Sequence, residues 1–289
     1  MSQKSTAGRV DAVAEPEVPS ASPLTAKTLK EVLDLVAHKS MAPRERLERS
    51  LRHLARWRQK ILLNTYRQKH GSVVFGGPFE GMTYHNASEG ATLPRLLGCY
   101  EAELHPIIES LPQKAYTTIV DIGCAEGYYA IGLARLLPDV QVLAHDISSS
   151  AQRACQAAAQ ENGVSHRVAV GGEFSGDQFA SLPARTLVVC DIEGAERELL
   201  DPQRYAGLSQ VDLLVEVHEC FHSGLVQTLQ DRFASTHDIQ WETQSVAANR
   251  QLPSWVDSLA HLDQILCTWE WRMGPTPWAH MTQKSRSNP

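Results

Sequence analysis

Two stretches of this chain carry residue types and spacings suited to chemistry. In the first, Asp121-Ile122-Gly123-Cys124-Ala125-Glu126-Gly127 ends an apolar run, and Asp146 follows 19 residues past Gly127. Glycine permits positive φ and lets backbone approach a ligand closely. An acidic residue at the end of the next strand is well placed to accept hydrogen bonds from two ribose hydroxyls. Dinucleotide sites use Gly-x-Gly-x-x-Gly, with a helix N-terminus facing a pyrophosphate. Here three residues separate Gly123 from Gly127, which fits that pattern poorly. In the second stretch, Asp191-Ile192-Glu193-Gly194-Ala195-Glu196 ends one apolar run, and Glu216-Val217-His218-Glu219 ends another. Glu216 and His218 share strand parity and so point to one face. A histidine at a strand end beside carboxylates is a natural general base, and the competing reading is a hydrogen-bonded structural histidine. Asp191, Glu193 and Glu216 are candidates to position the group acted upon. Carboxylate with imidazole also suits several divalent metals, but no metal ligand is assigned. Glu196 has an ordinary explanation as a first-turn helix acid.

These residues need strands to present them. Strands are expected at Thr118–Ile122, Val140–Ala144, Arg167–Val170, Thr186–Cys190 and Val211–Glu219, each ending at polar residues. Helices are expected from Tyr128 to Leu137, closed by Pro138, and from Ser148–Ser150 to Asn162-Gly163. His222–His237 reads as an amphipathic helix, Asp238–Val246 as a sixth strand and Pro253–Leu262 as a short helix. The aromatic segment Gln264–Arg272 reads as a seventh strand, and the residues from Pro275 as a frayed tail from which Trp278 can tuck onto the body. At the third strand's end, Glu173 is placed to meet an adenine amino group. The segment Gly98–Leu104 leads into a helix just before the first strand, so Tyr100 and Glu101 are candidates to cover the cofactor's open side.

Composition sets outer bounds. A chain of 289 residues suits one α/β domain plus an appendage. No apolar run approaches the ~18 residues of a membrane span, and no apolar signal core is present at the N-terminus. The six cysteines are scattered without Cys-x-x-Cys spacing and read as reduced thiols of a cytoplasmic protein. The net charge of −6 argues against general nucleic-acid binding. Charge is uneven, however: Pro43–His70 holds nine Lys or Arg against two Glu. That segment reads as an amphipathic helix with Leu47, Leu51, Leu54 and Ile61 on a packing stripe, against the main domain or a second copy in a homodimer. A helix from Thr25 precedes it, and Gly71–Tyr84 reads as a short hairpin. The expected organisation is a disordered tail at 1–23, a helical and hairpin extension at 24–97, a main domain at 98–274 and a tail at 275–289.

The turn Asp121-Ile122-Gly123-Cys124-Ala125-Glu126-Gly127 resembles the first motif of class I methyltransferases that use S-adenosylmethionine. Asp191-Ile192-Glu193-Gly194-Ala195-Glu196 with Val215-Glu216-Val217-His218 resembles the FkbM-type branch. The resemblance covers about residues 98–271. It implies an α/β, doubly wound, seven-stranded mostly parallel sheet with a helical N-terminal extension, strand seven running antiparallel between strands five and six. It implies S-adenosylmethionine as cofactor, with Asp121, Gly123, Cys124, Ala125 and Gly127 at the amino-acid end and Asp146 at the ribose. The function it implies is O-methylation of a small molecule or sugar-like hydroxyl, with His218 as general base. N-methylation, protein or RNA methylation, a dinucleotide oxidoreductase and a non-catalytic partner protein on the same scaffold stay open.

Overall fold

The structure is a computed structural model that describes residues 21–85, 90–244 and 252–284. The expected tail at 1–23 lies almost wholly outside the described residues, as do the last two residues of the expected sixth strand. The chain divides into two compact units, 1–58 and 59–289. The smaller unit holds α1 (Pro23–Ala37) and the first part of α2 (Pro43–His70). Ser22 caps α1 through its hydroxyl, which accepts from the Thr25 N–H at 3.3 Å. The two helices are tied by Trp57 Nε1 donating to Thr25 Oγ1 at 3.1 Å and by Arg46 donating to the Val36 carbonyl at 2.7 Å. Leu47, Leu51 and Leu54 are exposed, together with Leu29, Leu33 and Val36 of α1. The stripe read as a packing face therefore stands open within this unit.

The larger unit takes in residues 59–97, which sequence alone assigned to the extension. Gln59 Nε2 donates to the carbonyls of Leu266 and Trp269, and the Tyr66 hydroxyl donates to the carbonyls of Val73 and Leu96. The expected hairpin is reduced to one bridge, Val73 with Thr83. Helices α3 (Thr92–Leu97) and α4 (His105–Ser110) then lead to the sheet.

Seven strands form that sheet, β1 (Thr118–Ile122), β2 (Gln141–His145), β3 (Val168–Gly171), β4 (Thr186–Cys190), β5 (Asp212–Glu216), β6 (His237–Glu242) and β7 (Trp278–Gln283). Their spatial order is β3-β2-β1-β4-β5-β7-β6. The first five are parallel, and β7 runs antiparallel to both β5 and β6. Helices α5 (Tyr128–Leu136), α6 (Ser149–Glu161), α7 (Glu196–Leu199), α8 (Leu225–Phe233), α9 (Ser254–Asp257) and α10 (His261–Cys267) complete it. Strands β1 and β4 are buried along their whole length, as central parallel strands covered on both faces must be. Val120, Val188, Leu213, Leu229 and Phe233 belong to the core between sheet and helices.

One element was misplaced by sequence. Gln264–Arg272 forms no strand: its first part lies in α10, and the segment after it is irregular. The seventh strand lies in the expected frayed tail. Trp278, fully buried, pairs with Glu216 of β5 and Glu242 of β6. Alternation of aromatic residues in 264–272 imitates a strand, but strand identity is settled by which segment reaches the open edge of β5.

Candidate active site

The carboxyl ends of β1, β2, β3 and β4 open onto one cavity of about 710 Å³. Crossing between β1 and β4 at the middle of the sheet is where the chain direction of winding reverses, the usual place for a ligand in such folds. Asp121, Gly123, Cys124, Ala125, His145, Asp146, Glu173, Asp191 and Glu193 all line this cavity.

The turn after β1 is shaped by crowding. A Cβ on Gly123 would stand 1.7 Å from the Asp191 carbonyl oxygen, and Gly123 has φ +85°. Only glycine lets the ends of β1 and β4 approach this closely. Ala125 is held at φ 45°, where its N–H donates to Asp146 Oδ2 at 3.0 Å. Asp146 Oδ1 accepts from the Ser148 N–H at 2.7 Å, so the carboxylate is fixed in place with lone pairs to spare. Asp121 is buried, and its Oδ2 has no hydrogen-bond partner. Burial pushes its pKa up to about 7, against a lowering hydrogen bond from the Ala130 backbone, and nearby Asp146 adds to the rise. Glycine turn, orphaned carboxylate oxygen and anchored Asp146 together form a donor set that fits an adenosyl amino acid. Gly127 caps α5 and does not line the cavity.

Beyond the turn lies the acidic cluster. His218 is buried, and its Nδ1 lies 2.7 Å from Oε1 of Glu196, which is fully buried. A carboxylate only accepts, so Nδ1 carries the proton and Nε2 faces the remaining acids. Nε2 lies 3.5 Å from Glu193 Oε2, 3.7 Å from Asp191 Oδ1 and 3.8 Å from Glu216 Oε2. Burial disfavours the charged imidazole, but the Glu196 hydrogen bond and the Glu216, Glu196 and Glu193 carboxylates outweigh it, and the pKa stands above its ordinary value. Burial alone would raise Glu196, yet the His218 hydrogen bond holds it below the usual range. Asp191 is pushed well up, first by burial and then by the Glu216, Glu101 and Glu193 charges. Glu193 sits at φ 56°, a left-handed conformation costly for a non-glycine residue.

Three residues singled out by sequence are committed elsewhere. Arg272 binds Glu216 Oε1 at 2.5 Å, Glu101 Oε1 at 2.8 Å and Glu270 Oε2 at 3.2 Å. Glu101 also accepts from the Tyr129 hydroxyl. Burial raises Glu101 to about 8 although Arg272 opposes the shift. Tyr100 is packed under the Arg95 guanidinium, 4.3 Å from carbon to ring centroid. Neither Tyr100, Glu101 nor Glu216 lines the cavity, whereas Tyr129 and Arg95 do. Sequence reasoning missed Arg95, Arg272 and the partnership of Glu196 with His218. The only sequence signal for the last was Glu196's place in the acidic block. Arg272 lay hidden in a segment read as a strand.

Residues 105–181 match the family model for the methyltransferase small domain. That segment contains Asp121, Gly123, Gly127 and Asp146. No curated protein matches the chain. Similar solved structures include the O-methyltransferase TomG from Streptomyces achromogenes, involved in tomaymycin synthesis and solved with S-adenosylmethionine. It is 14% identical with a TM-score of 0.46, covering 70% of this chain and 92% of its own. An O-methyltransferase from Bacillus cereus, in complex with S-adenosylhomocysteine, is 11% identical with a TM-score of 0.45, covering 78% of this chain and 90% of its own. The C-terminal domain of precorrin-6Y C5,15-methyltransferase from Rhodobacter capsulatus is 12% identical with a TM-score of 0.40, covering 62% and 89%. Strand order and the antiparallel β7 give this chain the class I methyltransferase fold. Among the described residues no helix is long and apolar enough to cross a membrane.

Proposed function

We propose that the protein transfers a methyl group from S-adenosylmethionine to a hydroxyl of a small-molecule or sugar-like acceptor. The chain is an S-adenosylmethionine-dependent methyltransferase, and the acidic block at Asp191–Glu196 supports an FkbM-type reading of it. One observation carries this reading. A single cavity is lined by the Asp121–Ala125 turn and Asp146 and also by Asp191 and Glu193, whose carboxylates lie 3.7 and 3.5 Å from Nε2 of His218.

When bound, the cofactor supplies an electrophilic methyl group on a sulfonium. The chain's residues hold its two ends and prepare the acceptor. Asp146 accepts from the ribose hydroxyls and Asp121 from the ammonium. Asp191 and Glu193 hold the acceptor near Nε2 of His218, which takes the hydroxyl proton. Glu196 fixes the imidazole tautomer and stabilises the imidazolium that forms. Such alignment of nucleophile and methyl carbon is the larger part of what a methyl-transfer site has to supply.

Calorimetric titration with S-adenosylmethionine tests the cofactor. Transfer of labelled methyl to a panel of hydroxylated acceptors tests the reaction, and His218→Ala is expected to cut turnover while leaving cofactor affinity nearly intact. A second reading has its own support: ligand atoms of Asp191, Glu193 and His218 lie within 4.8 Å of one another. A divalent cation there would polarise the acceptor oxygen in place of the imidazole base. Retention of full turnover in the presence of a strong chelator excludes this second reading.

A further inference from the structure

Arg95 stands apart from the ionised residues around it. It belongs to α3, is only 7% exposed, and faces the cavity alongside Asp121. Among the described residues it has no carboxylate partner within 4 Å. Its neighbours are phenols: Nη1 donates to the Tyr84 hydroxyl at 2.9 Å, and the guanidinium carbon lies 4.3 Å from the Tyr100 centroid and 5.4 Å from that of Tyr128. Its Nε has no hydrogen-bond partner. A buried cation without a counter-charge is costly, and aromatic faces compensate only in part. Asp121, which lines the same cavity, is a buried acid with an orphaned oxygen, and the two are not ion-paired with each other.

One buried cation and one buried acid, both lining a shared cavity, are complementary to a zwitterion. We propose that Arg95 is the binding site for an α-carboxylate, so that Arg95 and Asp121 together recognise the amino-acid end of the methyl donor. The proposal rests on the methyltransferase reading above and goes beyond it by assigning the carboxylate. The planar guanidinium offers a fork of N–H donors matched to a carboxylate, and the tyrosines hold that fork in orientation before the ligand arrives. Cofactor recognition would then depend on an element that precedes the sheet, outside the glycine turn.

The test is calorimetric titration of the full chain with two probes, S-adenosylhomocysteine and its decarboxylated analogue, which keeps the ammonium, ribose and adenine. Wild type is expected to prefer the carboxylated probe by at least about 30-fold, the range of a charge-assisted pair. In Arg95→Met the preference falls below about threefold, through weaker binding of the carboxylated probe alone. Arg95→Lys, which keeps the charge but loses the fork, falls between the two. Equal affinity of wild type for both probes overturns the proposal even if Arg95→Met does not fold. So does an unchanged preference in Arg95→Met, including the case where only the acceptor KM rises. If wild type binds neither probe, the methyltransferase reading falls and takes this assignment with it.

Discussion

His218 Nδ1 and Glu196 Oε1 are 2.7 Å apart, the first on the segment after β5 and the second opening α7. Both side chains are buried, so each is the other's main compensation for leaving water. His218 is raised and Glu196 lowered relative to their ordinary values. The raised imidazole contributes stability that is full below its unfolded pKa and is lost as pH rises through the folded one. The lowered carboxylate contributes stability that is full above its unfolded pKa and is lost as pH falls through the folded one. The pair is therefore worth most between about pH 4.5 and 6.5. Glu196→Gln is expected to cost ~3 kcal/mol in urea unfolding at pH 6, with a smaller cost at pH 9. It should also move the acidic limb of the pH–kcat profile to lower pH, because His218 loses what holds its proton. A limb that stays in place removes Glu196 from the acid–base chemistry.

Asp121 predicts a pH dependence of cofactor affinity. With a pKa of about 7 in the free protein, it must lose its proton to accept from an ammonium. Affinity for S-adenosylmethionine should rise between pH 5.5 and 7, by up to about tenfold per unit. Asp121→Asn is expected to flatten that rise in the same titration.

Burial of acids also predicts how stability varies. Asp121 at about 7 and Glu101 at about 8 are both raised, so the folded state binds protons that the unfolded chain has released above about pH 4.5. Their stabilising contribution is full below that value and is lost as pH climbs through the folded pKa values. His218 acts in the same direction. The urea midpoint should fall from pH 5 to pH 8, and Asp121→Asn should reduce the fall. A midpoint constant over that range contradicts the assignment.

Arg272 joins Glu101, Glu216 and Glu270 through contacts of 3.2 Å or less. Replacing it by Met leaves these buried acids without their shared cation, a loss of about 3–5 kcal/mol in urea unfolding. Urea midpoints of Arg272→Met and Arg272→Lys distinguish a lost charge from lost packing, since only Met removes the cation.

Asp146 is expected to matter to binding more than to folding. Asp146→Asn keeps only one of the two oxygens that accept from the Ala125 and Ser148 amides, and should weaken S-adenosylmethionine by about 10-fold or more through loss of charge-assisted ribose contacts. Equal cofactor affinity in the variant and wild type would remove the ribose assignment.

The donor half of the site was legible because it is local. Strand, glycine turn, helix and acidic strand end follow one another within Thr118–Asp146, and each is specified by neighbouring residues. The steric reason that Gly123 must be glycine is a different matter. It comes from the Asp191 carbonyl, 68 residues away, which only the β1–β4 pairing brings there. The same holds for β7: its antiparallel place between β5 and β6 decides that Trp278 begins a strand, where the local sequence suggested only a tail with Trp278 tucked onto the body.

By itself the sequence determined the parallel α/β class, the cofactor turn and the gathering of acids at two strand ends. Hydrophobic periodicity and turn chemistry act over a few residues, and these features are built at that range. Tertiary structure decided which of those acids are spoken for. Arg272 takes Glu101 and Glu216, Glu196 takes His218, and Asp121 and Arg95 line the cavity with no ionic partner among the described residues. Charge compensation depends on distance in space, and the partners lie 22 to 171 residues apart along the chain.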